Sequence, residues 1–113
     1  MILYGLKNCD TTRKARRWLT ERDCSYEFVD VRDDGVDEST VRTWLAAVGW
    51  ETLVNRRGTT WRQLNEAQRS DVDEAKALAL IMQYPALIKR PVFQTGGDLL
   101  VGFDAEAYAA TLA

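Results

Sequence analysis

The stretch YGLKNCDTTRKARRWL, from Tyr4 to Leu19, joins a short β-prone run to a helix. Ile2-Leu3-Tyr4 is apolar, and after a polar loop the apolar residues recur at helical spacing from about Asp10 onwards. The stretch therefore predicts strand, loop and helix. Cys9 lies at the junction between polar residues, whereas a cysteine kept only for packing is more natural inside an apolar run. This thiol is the first candidate for chemistry.

The strands predicted downstream define a mixed sheet. Tyr26–Val31 alternates apolar and polar side chains, which is typical of a strand. Because a helix joins it to the first strand, we expect the two to be parallel with a right-handed crossover. Residues 87–93, the turn at 96–98 and residues 99–101 predict a β-hairpin, and a last helix is expected at about 104–112. The order is βαβ, a helical insertion, then ββα.

The insertion, at about residues 37–84, carries two predicted helices with short helical pieces between them. Val41, Trp44, Leu45 and Val48 recur at helical spacing, and Gly49 is a suitable C-terminal cap. Residues 50–64 are interpreted as short helical pieces around a turn. Residues 71–84 predict a further helix that ends at Pro85. The apolar face proposed for that helix consists of Ala75, Leu78, Ala79 and Met82.

Length and charge limit the classes of function. The 113 residues suit one domain, 1-113, because single domains commonly hold about 100 to 150 residues. Lys and Arg number 15 against 17 Asp and Glu, a formal net charge of −2, so no global basic field favours nucleic acid. The N-terminal MILYGL lacks the features of a secretion signal, and no apolar run approaches about 18 residues. We expect a soluble, cytoplasmic protein with no membrane or nucleic-acid partner.

Histidine is absent and cysteine occurs twice. The absence of histidine excludes Cys-His and Ser-His catalysis and the zinc sites that use histidine, and we expect no metal. In the cytosol, two cysteines are expected to be reduced thiols rather than a structural disulfide. An activated thiol in this chain must therefore be activated by other groups.

A helix that begins near Asp10 offers such activation to Cys9. The first amide N–H groups of a helix are unpaired and carry partial positive charge. Such a site, or nearby cations such as Lys7, Arg13 and Lys14, can lower a thiol pKa from about 8.5 to roughly 3.5–7.5. Asp10 opposes a thiolate by its charge, and it is also placed to cap the helix. The alternative is that Cys9 is a small buried apolar residue.

Cys24 is expected to be structural. Cys9 is followed by Asp10-Thr11-Thr12, so the motif is Cys-x-x-Thr and the second thiol of a Cys-x-x-Cys pair is missing. Cys24 lies at the far end of the predicted helix, roughly 20 Å away and beyond disulfide reach. These features favour a monothiol mechanism, in which an outside thiol such as glutathione completes the cycle.

Arginines and a proline supply the other candidate site residues. Arg56, Arg57 and Arg90 fall in loop or strand-edge contexts, where guanidinium groups can bind oxyanions and carboxylates. The alternative is a solvated charged surface. Pro91 interrupts the third strand, and proline cannot donate a ladder hydrogen bond. Either it accompanies a functional site, in the cis form, or it lies on an edge strand.

The motifs YGLKNCDTTRKARRWL, VNRRGTTWRQL and IKRPVF together resemble the ArsC/Spx family, in particular its YffB-type branch, over essentially the whole chain. The resemblance implies an α/β, thioredoxin-like fold with a mixed sheet and an inserted helical segment. It also implies that Cys9 is the nucleophile and that Pro91 is cis. The residues expected to bind substrate or glutathione are Lys7, Asn8, Thr11, Thr12, Arg13, Arg56, Arg57, Arg90 and Pro91.

The same resemblance implies three candidate functions. YffB-type members are thought to be glutathione-dependent thiol reductases, which suits a monothiol site. Arsenate reductases of the family bind the oxyanion with three arginines, and the third would fall near Val101-Gly102-Phe103, where this chain has none. Spx-type members bind the RNA polymerase α subunit. The expected partners are glutathione or a small oxyanion or disulfide, with glutaredoxin as a further candidate, and the expected state is a monomer.

Overall fold

The computed structural model describes residues Met1 to Ala113, which divide into two compact units. The first unit combines residues 1–34 with residues 90–113, and the second consists of residues 35–89. The second unit corresponds to the insertion predicted at about 37–84. That the whole chain behaves as one domain stays a prediction.

The helices have the following bounds. They are α1 (Asp10–Glu21), α2 (Glu38–Val48), α3 (Trp50–Leu53), α4 (Thr59–Gln63), α5 (Glu66–Arg69), α6 (Glu74–Gln83) and α7 (Ala105–Leu112), with a short 3-10 helix at Pro85–Leu87. No helix is long and apolar enough to cross a membrane.

The first unit contains a four-stranded mixed sheet. The strands are β1 (Ile2–Gly5), β2 (Glu27–Asp30), β3 (Val92–Gln94) and β4 (Leu99–Val101). Their order is β2-β1-β3-β4. β1 is parallel to β2 and antiparallel to β3, and β3 is antiparallel to β4. The predicted βαβ…ββα order and the parallel first pair are confirmed.

The core of the first unit lies where α1, the sheet and α7 meet. Leu3 of β1, Leu19 of α1, Phe93 of β3 and Tyr108 of α7 are fully buried in one cluster. The rings of Phe93 and Tyr108 stack with their centroids 4.8 Å apart. Because β1 and α1 are both anchored in this core, the loop between them is held at both ends.

The second unit is built around α2 and α6, which pack together. α2 begins at Asp37, whose side chain accepts a hydrogen bond from the Thr40 N–H at 3.0 Å. It ends at Gly49, whose φ of 82° suits a residue without a side chain. The sequence prediction missed α5, although Asn65 and Gln68 form a capping box there, which is a pattern readable from sequence.

The apolar face predicted for the 71–84 helix was wrong at three of its four positions. Ala75 and Ala79 are exposed and Met82 is 37% exposed. The residues of α6 that are buried are Ala77, Leu78, Leu80 and Ile81. The segment ALALIM is apolar nearly all round, so helical spacing fits more than one face, and only the packing against α2 selects one.

The third strand begins later than predicted. The prediction placed it from Leu87, but Leu87 ends the 3-10 helix and β3 begins at Val92. Pro91 has no N–H to donate to a ladder, so the strand starts after it. β3 lies between β1 and β4, so the edge-strand explanation of Pro91 was wrong. The Arg90–Pro91 peptide bond is cis, as the alternative explanation expected.

We expect Gly5→Ala to destabilise the protein, because a Cβ at Gly5 would lie 2.5 Å from Oγ1 and 2.6 Å from Cγ2 of the fully buried Thr12. Relieving this overpacking should cost about 1–3 kcal/mol of the free energy of unfolding. Urea denaturation measures it. Gly97→Ala is the control, because a Cβ there meets open space, and equal stability of the two variants would contradict the prediction.

Candidate active site at the ends of β1 and β2

Cys9 occupies the N-cap position of α1, in an extended conformation with φ −90° and ψ 124°. Its N–H donates to the Leu6 carbonyl at 3.1 Å, and its own carbonyl accepts from the Arg13 N–H at 2.9 Å. The loop after β1 is thus one tight turn that leads directly into the helix. Cys9 lies at the helix start, as the sequence predicted, and its thiol is half-buried.

The surroundings of Cys9 favour the thiolate. Burial raises the pKa of the thiol, but the Thr12 N–H and hydroxyl and the Arg90 guanidinium outweigh it, so the pKa lies below its ordinary value. The Cys9 side chain makes no capping hydrogen bond to α1. The nearby donors form a polar environment that stabilises negative charge on the sulfur. The Thr12 hydroxyl is fully buried and makes no hydrogen bond in the structure, which leaves it available to the sulfur.

Arg90 reaches the site from the segment that precedes β3. β3 runs antiparallel to β1, with Tyr4 opposite Val92. Arg90 and Pro91 come just before β3, so they lie at the end of β1 that leads to Cys9. Pro91 is buried, and its carbonyl accepts from the Gly102 N–H at 2.8 Å. The sheet register therefore positions the arginine that lowers the pKa of Cys9.

A cavity of about 330 Å³ opens beside the thiol. Its lining residues are Leu6, Lys7, Asn8, Cys9, Asp30, Arg32, Asp33 and Arg90. Ligand pockets in proteins commonly measure about 300–1,000 Å³, so the cavity suits a small molecule. Its lining carries charges of both signs.

Asp30 connects the two strand ends that form this cavity. Asp30 is 3% exposed, and its carboxylate accepts from three backbone N–H groups, those of Lys7 at 3.0 Å and of Arg32 and Asp33 at 2.9 Å each. Burial raises the pKa of Asp30, but the three N–H donors and the charge of Lys7 hold it below its usual value. The ionised carboxylate therefore ties the loop after β1 to the turn after β2.

The structure brings only part of the predicted binding set together. Lys7, Asn8 and Arg90 line the cavity with Cys9, and Thr12 lies at the thiol. Thr11 is exposed on α1 and is not among the lining residues. Arg13 is also exposed, and its guanidinium donates to the Lys7 carbonyl at 3.2 Å.

Asp10 does not cap α1, contrary to the expectation. It is the first residue inside the helix, and the N-cap position belongs to Cys9. Its carboxylate instead lies 3.4 Å from the Arg13 guanidinium. Cys9, and not Asp10, is therefore the N-cap residue of α1.

Arg56 and Arg57 belong to the second unit. Together with Asn55 and Lys89 they line a cavity of about 490 Å³ formed by residues of that unit. Both arginines are exposed, and the Arg56 guanidinium lies 5.2 Å from the centre of the Trp50 ring. Their part in binding a substrate stays a prediction.

Sequence reasoning missed Asp30, Arg32 and Asp33. The signal was present, because all three stand at the carboxyl end of the predicted second strand. Residues that follow two adjacent parallel strands meet at the same edge of the sheet, which is where ligands bind in α/β folds. The run DVRDD, which starts at the last residue of β2, was therefore as strong a positional signal as the loop after β1.

The ArsC family model matches residues 4–111. An uncharacterized protein of Haemophilus influenzae is 40% identical over 113 residues, which are 100% of this chain and 99% of that protein. The global transcriptional regulator Spx 2 of Bacillus cereus is 28% identical, and the match covers 94% of this chain and 82% of the regulator.

Solved structures agree with this fold over nearly the whole chain. A YFFB protein is 53% identical with a TM-score of 0.96, covering 99% of this chain and 98% of its own. An arsenate reductase (ArsC) related protein from Brucella melitensis is 45% identical with a TM-score of 0.77, covering 98% and 92%. The predicted thioredoxin-like, ArsC-type fold is thereby confirmed.

We expect Thr12→Val to raise the pKa of Cys9, because valine keeps the shape of threonine but has no hydroxyl to stabilise the thiolate. The rate of iodoacetamide alkylation at Cys9 should then rise at a higher pH than in the wild type, and the two rates should converge where both thiols are ionised. Peptide mapping across a pH series measures this. Thr20→Val, on the exposed part of α1, should leave the curve in place, and an unmoved curve for Thr12→Val would remove the hydroxyl from the site.

Proposed function

This chain belongs to the ArsC family, and from that premise we propose that it is a thiol oxidoreductase with Cys9 as its single nucleophile and glutathione as co-substrate. The observation that carries the proposal is the lowered pKa of Cys9 beside a cavity of small-molecule size. A thiolate is the nucleophilic form of cysteine. A thiol whose pKa is lowered and that lies beside an open cavity is suited to attack a ligand bound there.

The first half of the reaction reduces an acceptor disulfide. The Cys9 thiolate attacks one sulfur of the acceptor, so a bond forms between Sγ and that sulfur while the acceptor's own S–S bond breaks. The departing thiolate takes a proton from solvent. Cys9 is left as a mixed disulfide with half of the acceptor.

The second half restores the enzyme with two molecules of glutathione. One glutathione thiolate attacks the mixed disulfide at the Cys9 sulfur, which releases the remaining acceptor thiol and leaves glutathione bound to Cys9. A second glutathione attacks the glutathione sulfur, releasing oxidised glutathione and the Cys9 thiolate. The acceptor disulfide gains two electrons, and two glutathione thiols supply them.

The groups around Cys9 suit both halves. Thr12 and Arg90 favour negative charge on Sγ. The sulfur is therefore more readily available as the nucleophilic thiolate, and it is a better leaving group. Cys24 is not placed to act as a resolving thiol. It follows the far end of α1, a helix of 12 residues that spans about 18 Å. An external thiol is therefore the natural reductant.

The end of β4 favours this reaction over arsenate reduction. The family resemblance implies three arginines around a bound oxyanion, and the third would fall near Gly102. The segment from Val101 to Phe103 contains no arginine, so that oxyanion ligand is missing. The cavity at Cys9 carries charges of both signs, so its charge alone does not distinguish the two reactions.

A regulatory function is the second candidate. It is favoured by the similarity to Spx 2 of Bacillus cereus, a global transcriptional regulator, over 94% of this chain. In that case the chain would act by binding a protein partner, for which the family resemblance suggests the RNA polymerase α subunit. Binding of that kind does not need a reactive Cys9.

We expect oxidised glutathione to modify Cys9 selectively at neutral pH, because its lowered pKa supplies thiolate. Intact-mass analysis with peptide mapping should find one glutathione, on Cys9. Cys9→Ser should lose both the adduct and all disulfide-reductase turnover, whereas the matched variant Cys24→Ser should retain both. Turnover by Cys9→Ser, or equal slow labelling of both thiols, would refute the mechanism.

The regulatory candidate predicts a different outcome in a pull-down with the C-terminal domain of the RNA polymerase α subunit. A binding module should capture that domain equally well as wild type and as Cys9→Ser. If oxidised glutathione labels Cys9 selectively and the pull-down captures nothing, the regulatory candidate is rejected and the thiol oxidoreductase is retained.

A further inference from the structure

Two charged residues of the Cys9 cavity have no part in the disulfide exchange. Arg32 and Asp33 follow β2, and both line the cavity. They carry opposite charges on adjacent residues. The mechanism needs the thiol, Thr12 and Arg90, and leaves the purpose of this pair open.

Asp30 holds the backbone that carries this pair. Its carboxylate accepts the N–H groups of both Arg32 and Asp33 at 2.9 Å, so the turn is fixed at two successive residues. The same carboxylate binds the Lys7 N–H, so its acceptor capacity is largely occupied by the backbone. Of the two cavity carboxylates, Asp33 is therefore the one that can accept hydrogen bonds from a ligand.

The ion pair that Asp33 makes does not block this use. The Lys7 Nζ lies 3.4 Å from Asp33 Oδ2, and both side chains are 60% exposed. Exposed ion pairs of this kind contribute little to stability. An ionised carboxylate has about four acceptor positions, so Asp33 can take a second cationic donor without releasing Lys7.

We propose that Arg32 and Asp33 bind the α-amino-acid end of the γ-glutamyl residue of glutathione, an inference that rests on the proposed function. Asp33 accepts from the ammonium group, and Arg32 donates to the carboxylate next to it. Glutathione carries one ammonium and two carboxylates at neutral pH, so a cavity with both signs of charge fits it better than it fits a plain anion. The pair makes the site selective for γ-glutamyl thiols.

The test compares two disulfides that differ only in the ammonium group. One is oxidised glutathione, and the other is the disulfide of glutaryl-cysteinyl-glycine, in which a glutaryl group replaces the γ-glutamyl residue. Second-order rate constants for adduct formation at Cys9 are measured by intact mass. We expect the wild type to prefer oxidised glutathione about fivefold, the upper end for an exposed ion pair. In Asp33→Asn the ratio should fall to about one.

Asp34→Asn is the matched control. Asp34 is the next residue and is exposed, but it does not line the cavity. Asparagine keeps an acceptor for the Asp30 N–H that now bonds to Asp34 at 2.9 Å. The control removes one negative charge from the same turn. If loss of that charge alone speeds the reaction of the glutaryl disulfide, which is the more negative of the two, Asp34→Asn shows the same change. The preference should persist in Asp34→Asn.

The outcomes separate a failure of this inference from a failure of the proposed function on which it rests. Loss of the preference in Asp33→Asn alone supports the inference. An equal loss in both variants, no change in Asp33→Asn, or no preference in the wild type overturns it, while adducts at Cys9 leave the proposed function standing. If neither disulfide modifies Cys9 in the wild type, the proposed function fails and the inference fails with it.

Discussion

The carboxylate of Asp30 is the interaction on which the rest of the site depends. A buried carboxylate stays ionised only where donors replace the water it has lost, and here three backbone N–H groups do so. Those donors come from the loop that leads to Cys9 and from the turn that carries Arg32 and Asp33. One side chain therefore fixes the position of both walls of the cavity.

The second constraint is the close approach of α1 to β1. Gly5 has no side chain, which allows Thr12 to lie directly against the strand. That contact buries the Thr12 hydroxyl at the start of the helix, where it stabilises negative charge on Cys9. The same contact thus serves the packing of the first unit and the chemistry of the thiol.

Cys9 illustrates how opposing effects determine reactivity. Burial alone makes a thiol inert by penalising its charged form, whereas full exposure would leave it with an ordinary pKa. In this fold the helix start and Arg90 outweigh the burial, so the sulfur is shielded and still ionises more readily than usual. Asp10, which the sequence suggested as a competing charge and a cap, is instead engaged with Arg13 on the exposed side of the helix.

Much of the fold could be predicted because its signals are local. The strand, loop and helix around Cys9 follow from periodicity and capping residues, and the parallel pairing of β1 and β2 follows from the helix between them. Prediction failed or stayed open where local patterns allow several answers. The all-apolar segment of α6 offered more than one face, and the strand that Pro91 interrupts could have been an edge or a central strand.

The sequence by itself determined the order of the elements and placed a cysteine at a helix start, because both depend on residues close together in the chain. The tertiary structure alone decided which distant groups face that cysteine. Arg90 reaches it through the register of β3 on β1, and the pairing of β2 with β1 brings Asp30 to the cavity beside it. Electrostatic stabilisation depends on distance in space, so the direction of the pKa shift of Cys9 depends on the sheet that brings Arg90 to the thiol.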